Sequence, residues 1–327
     1  MLKSLINISN KQLILPFYHL VSDITPNYIK HLYEPKNIRK FKDDLDVFLK
    51  YYNPISLKEL LEVNKGKKRF TKPSFHLTFD DGLSNFYHII APILLKKGIS
   101  ATIFLNTDFV DNKELFYRYK ASLLIDNYLN INKKRKKIYS SFIKKKTKGK
   151  KQEIRDEFII NYLLKINYKN RGLLDELATQ INYSFDDFLK NEKPYLTLKQ
   201  IKILQKQGFT FGAHSCNHPN YSELELKEQL NQTKKSVKWL QDNLSVNYKV
   251  FSFPFHDIGV SKMFYNKIKP NLDLSFGTSG IKNDEILTNL HRLDMEKNKQ
   301  NIKPFLIKEY LKYIFKTPFG RNTIKRN

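Results

Sequence analysis

The feature that most constrains the fold is the order in which apolar runs alternate along the chain. "LILPFYHLV" (13–21) reads as a buried strand, and "FKDDLDVFLKYY" after it sets Phe41, Leu45, Phe48, Leu49 and Tyr52 on one helical face. "SFHLTF" (74–79) is a strand, residues 84–97 have helical spacing until Gly98, and "ATIFLNT" (101–107) is a strand again. Near 195 the rhythm resumes. Thr197 and Gln200 form a capping-box pattern before a helix that Gly208 ends, and "FTFGA" is the next strand. Ser222 and Glu225 repeat the capping signal before a helix reaching about Leu244, and "VFSFPF" (250–255) and "LDLSFGT" (272–278) are further strands. Strands separated by helices rather than hairpin turns predict an α/β chain with a mostly parallel sheet or a (β/α) barrel.

Residues 112–194 break the rhythm. They are helical and polar in pattern and contain "KKRKKIYSSFIKKKTKGKK" (133–151), with eleven basic residues and no acidic one. No linker-like stretch flanks them, so we expect a single domain over 1–327, with a helical insertion at 112–194 and a basic helix and tail at 300–327. A chain of 327 residues that is 41% hydrophobic can bury a sizeable core. The single cysteine, Cys216, excludes an internal disulfide.

The net charge of +26 suits an anionic partner, or simply a lysine-rich solvated surface. Nucleic acid is the least supported partner: basic and aromatic residues do not interleave and no helix-turn-helix signature occurs. The 133–151 run is either a solvated loop or a peripheral contact for an anionic membrane or an acidic glycan. The N-terminus lacks the apolar core of a signal peptide and no 18-residue apolar run occurs, so the default expectation is a cytoplasmic chain.

Three polar clusters fall at the ends of strand-like runs: Asp80 and Asp81 after "HLTF", His214 and His218 after "FTFGA", and Pro254, Phe255 and His256 after "VFSF". Functional residues gather at the carboxyl edge of parallel sheets. Each cluster alone is weak, since Asp-Asp-Gly is commonly a turn. Combined, one aspartate and two histidines make a three-ligand set with an open position, suited to catalytic Zn²⁺ or a similar ion. Adjacent aspartates in an extended stretch point apart, so one can bind a cation while the other handles protons.

"TFDDG" (78–82), "HSCNHP" (214–219) and "YHLVSD" (18–23) resemble motifs of the polysaccharide deacetylases, carbohydrate esterase family 4, also called the NodB-homology domain. The resemblance covers roughly 13–107 and 195–293 and leaves 112–194 unexplained. It implies a distorted (β/α)7-type barrel that removes acetyl groups, usually N-acetyl, from sugars of a surface polysaccharide, glycolipid or precursor. It further implies Asp80 as general base, and Asp81, His214 and His218 as ligands of a divalent metal, Zn²⁺ before Co²⁺ or Ni²⁺. His291 in "NLHRLDM" would be the general acid, with His19, Pro254, Phe255, His256 and Arg292 lining the site.

Two departures stand out. Ser252 occupies the place of an arginine that would orient the base, which removes a cation from beside Asp80. Asn289 stands where the family has leucine two residues before its acid. They motivate an alternative, a catalytically degenerate protein of the same fold that only binds carbohydrate or membrane. Cys216 falls at a variable position and reads as a bystander, while His31, His76 and His88 read as structural.

Overall fold

The structure, a computed structural model, describes residues 1–147, 155–296 and 301–327. Eight short strands form its main sheet: β1 (Pro16–Tyr18), β2 (Leu77–Phe79), β3 (Ala101–Leu105), β4 (Thr210–Ala213), β5 (Val250–Ser252), β6 (Leu274–Gly277), β7 (Asn289–His291) and β8 (Leu293–Asp294). Their order is β7-β6-β5-β4-β3-β2-β1-β8, and every neighbouring pair is parallel. β7 and β8 sit at opposite edges of that order but are separated in sequence by Arg292 alone. One chain segment thus serves both edges, and seven segments make a nearly closed distorted (β/α) barrel, as expected.

Burial on both faces explains why these strands read as continuous apolar runs. Ile103, Phe104 and Leu105 of β3 are each no more than 1% exposed. The helix Ile38–Tyr51 buries Phe41, Leu45 and Phe48, with Phe48 stacked on Phe75 and Phe41 edge-on to Phe79. Leu49, expected on that face, is instead exposed. The Thr197–Gln200 capping box is present and opens Leu198–Lys206. The second expected cap is not. Ser222 donates to the Asn220 side chain, and the long helix Leu226–Leu244 begins without a side-chain cap.

The chain divides into two compact units rather than following the single boundary at 112–194. The first comprises Met1–Asp23, Pro35–Asp111 and Pro194–Asn327 and holds the barrel. Its C-terminal part forms the helix Ile302–Lys316 and the two-residue strand Thr323–Ile324, which pairs in parallel with Asn283–Asp284. Residue 300, where the basic tail was expected to begin, lies outside the described residues.

The second unit joins Ile24–Glu34 to Asn112–Lys193. It is built of the helices Tyr117–Asn130, Lys133–Thr147, Asp156–Leu164, Gly172–Gln180 and Phe185–Glu192. Most of the lysine run is therefore helical, although 148–151 lie outside the described residues. Tyr139, Phe142 and Ile143 turn inward, Lys136 pairs with Asp156, and Lys146 pairs with Glu176. Among the described residues no helix is long and apolar enough to cross a membrane.

Candidate active site

The site is assembled at the carboxyl ends of β2, β4 and β5. "DDG" leaves β2 with Asp81 at φ 69° and Gly82 at φ 62°. A side chain at Gly82 would also meet Leu105 Cδ2 at 2.7 Å and force that leucine to shift, so the position favours glycine on both counts. Ser215, His218 and Phe255 adopt positive φ as well, in the loops after β4 and β5. Strain held at several non-glycine positions around one point marks a site maintained by its surroundings.

His214 Nδ1 donates to the Ser252 carbonyl at 2.8 Å, which leaves Nε2 as the ring's acceptor. That Nε2 lies 3.6 Å from Asp81 Oδ1, and it is buried without a hydrogen-bond partner among the described residues. Burial pushes the imidazole down to about 4, so it is neutral at physiological pH. His218 Nε2 stands 3.2 Å from the same Asp81 oxygen. One donor atom from each of Asp81, His214 and His218 falls within 4.8 Å of the others. A buried neutral imidazole with an open lone pair, facing a carboxylate and a second imidazole, is a donor set that a divalent cation completes.

Asp80 turns the other way. Arg292 Nη1 and Nη2 donate to its two carboxylate oxygens at 2.7 and 2.8 Å, and Nη2 also donates to Ser252 Oγ at 2.6 Å. The guanidinium is fully buried, 4.4 Å over the Phe17 ring and 5.4 Å from that of Phe104. Burial alone would raise the Asp80 carboxyl, but Arg292 overrides it and holds the group below the usual carboxylate range. The cation expected to be missing because of Ser252 is therefore supplied from the barrel seam, and the small serine leaves room for it.

His291 does not join this group. Its side chain is buried, with Nε2 2.9 Å from Asp284 and Nδ1 accepting from the Ser279 amide at 3.3 Å, so both ring nitrogens are engaged away from Asp80. The residue expected as the acid is thus held by Asp284 and the Ser279 amide. Consecutive residues of an extended segment face opposite sides, and where Arg292 enters the barrel its neighbour leaves it.

Another imidazole that feels the two aspartates is His19, just after β1. Its Nδ1 lies 2.5 Å from Glu296 Oε2, while Glu296 Oε1 accepts from the amides of His19 and Leu20 at 2.8 and 2.9 Å. Burial disfavours the charged ring, but the Glu296 carboxylate outweighs it, with Asp81 and Asp80 adding to the pull, and raises His19 to about 10. Sequence reasoning missed Glu296. Its signal was its place four residues beyond Arg292 in a strand-like stretch, where the same face recurs.

The remaining candidates sort by position. Phe255 is 40% exposed with its ring 4.7 Å from that of His218; Pro254 is buried and His256 half-buried beside it. Cys216 hydrogen-bonds to Gln232 through its amide and thiol, burial pushes the thiol up to about 11, and its sulfur is not part of the Asp81, His214 and His218 group. His76 is buried between the Ile55 carbonyl and Thr102, His88 is exposed, and His31 lies 3.7 Å from Asp126 in the helical unit.

A parallel barrel carrying an arginine-held aspartate beside an Asp-His-His set defines a hydrolytic enzyme of the NodB-homology class. A family model described as polysaccharide deacetylase matches residues 67–155 and 176–267, and the chain belongs to that family. It is accordingly a deacetylase, a hydrolase of carbon–nitrogen bonds other than peptide bonds. No curated protein matches it in sequence.

Among solved structures the fold resembles the deacetylase PplD of Streptococcus pyogenes in complex with acetate, at 17% identity and a TM-score of 0.55, covering 90% of this chain and 96% of that one. It also resembles IcaB from Ammonifex degensii, at 13% identity and a TM-score of 0.56, covering 91% and 97%. A de-N-acetylase from Aggregatibacter actinomycetemcomitans aligns over 90% and 99% at 14% identity with a TM-score of 0.50.

Proposed function

We propose that the chain is a metal-dependent deacetylase that hydrolyses an N-acetyl group on a sugar of a surface polysaccharide, glycolipid or precursor. The observation that carries this reading is the Arg292 fork on Asp80 beside the buried Asp81, His214 and His218. Those three side chains would hold the cation, with Zn²⁺ ahead of Co²⁺ or Ni²⁺ for two imidazoles and a carboxylate. When bound there, a divalent cation supplies Lewis acidity toward water and an acetyl carbonyl.

The chain's own residues carry the proton traffic. Asp80, kept ionised by Arg292, accepts the proton of the attacking water. His19, kept protonated by Glu296, delivers a proton to the departing amine. We assign the acid to His19 rather than His291 because both nitrogens of His291 are committed elsewhere. Phe255, exposed against His218, gives the acetylated sugar an apolar surface to rest on. Two of the similar structures have kindred chemistry, one a de-N-acetylase and the other a deacetylase bound to acetate, which supports acetyl as the group removed.

The binding-only reading loses its main motive, since Arg292 stands in for the arginine absent at Ser252. An acidic glycan or anionic membrane would meet the exposed cations Lys133, Lys134, Arg135 and Lys137; salt-sensitive retention that their replacement by glutamate abolishes is the expected outcome.

The test is acetate release from a panel of acetylated glycans with added Zn²⁺, Co²⁺ or Ni²⁺. Activity on at least one is expected, lost reversibly on chelation and lost outright in Asp80→Asn and His214→Ala. Acetate release that survives Asp80→Asn would sink the mechanism.

A further inference from the structure

A second buried ionic cluster lies behind Arg292. Asp257, Asp284 and His291 bring ligand-type atoms within 4.8 Å of one another, an arrangement that resembles a metal site. Its cation is already built in. Arg326 Nη2 bonds both Asp257 Oδ2 and Asp284 Oδ2, its Nη1 donates to the Asp257 carbonyl at 2.6 Å, and its Nε to Asp284 Oδ1 at 3.3 Å. The guanidinium lies 5.1 Å from the Tyr265 ring, and the Arg326 amide is held by Glu285 at 2.7 Å. Asn289 Nδ2 donates to the same two carboxylates at 2.9 Å each.

This cluster reaches the base through one glycine. The Asp257 carboxylate fills the space where a side chain at Gly277 would stand, with oxygens 2.4 Å from that Cβ position. The Gly277 carbonyl in turn accepts from the Arg292 amide at 3.1 Å and from Arg292 Nε at 3.4 Å. On the other side, Asn289 and His291 tie β7, which runs directly into Arg292, to Asp284. Two carboxylates this close and this buried repel one another without a cation between them.

We propose that Arg326 is a positioning residue for deacetylation: by clamping the Asp257–Asp284 pair with both its charge and its fork of hydrogen bonds it fixes Gly277 and β7, and through them the Arg292 fork on Asp80. The consequence for catalysis rests on Asp80 being the base; the alignment of Arg292 does not.

The test replaces Arg326 in the full chain and reads two quantities. The first is hydrogen exchange of the Arg292 guanidinium by side-chain ¹⁵N NMR, assigned with Arg292→Lys. The second is kcat and KM for acetate release from a glycan that the unaltered chain turns over. In Arg326→Gln the Arg292 signals should lose their protection, with kcat falling roughly ten- to a hundredfold and KM little changed, the scale of a small misplacement of a catalytic group. Arg326→Lys keeps the charge without the fork and should fall between. Unchanged Arg292 signals in Arg326→Gln overturn the proposal, whatever happens to kcat. Lost protection with full activity would support the positioning and overturn Asp80 as base. If Arg326→Gln does not fold, Arg326→Lys carries both readouts, and values equal to the unaltered chain count against the proposal.

Discussion

Replacing Arg292 by alanine would leave the Asp80 carboxylate buried with no cation against it. Removing one partner of such a pair costs about 3–5 kcal/mol, so thermal unfolding should register the variant even before activity is assayed. Acetate release should fall at least a hundredfold, the scale of losing a well-placed proton acceptor, because Asp80 loses the fork that orients it and burial then pushes its carboxyl up. Ser252→Arg, which restores the usual family residue, should also destabilise, since Arg292 Nη2 already sits 2.6 Å from Ser252 Oγ. Cys216→Ser should leave cation binding and activity within about twofold, the ordinary effect of a substitution away from the reacting groups. At this scale the sequence was most legible in the loops that leave two strands, whose residues Asp81, His214 and His218 the structure brings together beside Asp80. It was least legible at "HR", where two adjacent candidates could not both face inward and nothing in the string said which one does.

Elements were legible wherever burial is two-sided, as in β3, or a cap is reciprocal, as at Thr197 and Gln200. Ser222 misled because its hydroxyl closed a local turn with Asn220 instead of capping the following helix. His76, on the approach to β2, gives an element-scale prediction. Burial depresses its imidazole to about 4, with its nitrogens bonded to Ile55 and Thr102. The unfolded chain therefore takes up this proton first, near pH 6.5. Its contribution to stability is complete above that pH and is lost as pH falls toward 4, a total on the order of 3 kcal/mol. Urea melts across this window should show a shallower pH dependence in His76→Asn, whatever its stability at pH 8. Equal slopes in the two proteins would show that His76 is not the group being titrated.

The α/β class followed from the strand–helix alternation, which any chain of this pattern must bury in layers; a barrel rather than an open sheet followed only from the family resemblance. The division into units followed less well. Ile24–Glu34 joins the helical unit although the insertion was expected to begin at 112, because a sequence string does not show which distant segments share a core. Cation binding offers a test on the whole molecule. A ligand that binds only the folded chain, present at a hundredfold over Kd, stabilises it by about 2.7 kcal/mol. Zn²⁺ should thus raise the unfolding temperature by several degrees, and His214→Ala should abolish that shift while Cys216→Ser keeps it. A shift that survives His214→Ala would place the cation elsewhere.

The segment that carries Arg292 between β7 and β8 has a further consequence, for solubility. A sheet with a free border displays unpaired amides and carbonyls onto which another chain can add a strand. Here one stretch of chain takes up both borders, with Arg292 at the crossing held by Asp80 and Gly277. Variants that loosen that crossing should therefore self-associate as well as lose activity, and light scattering on Arg292→Ala held below its unfolding temperature should rise with protein concentration.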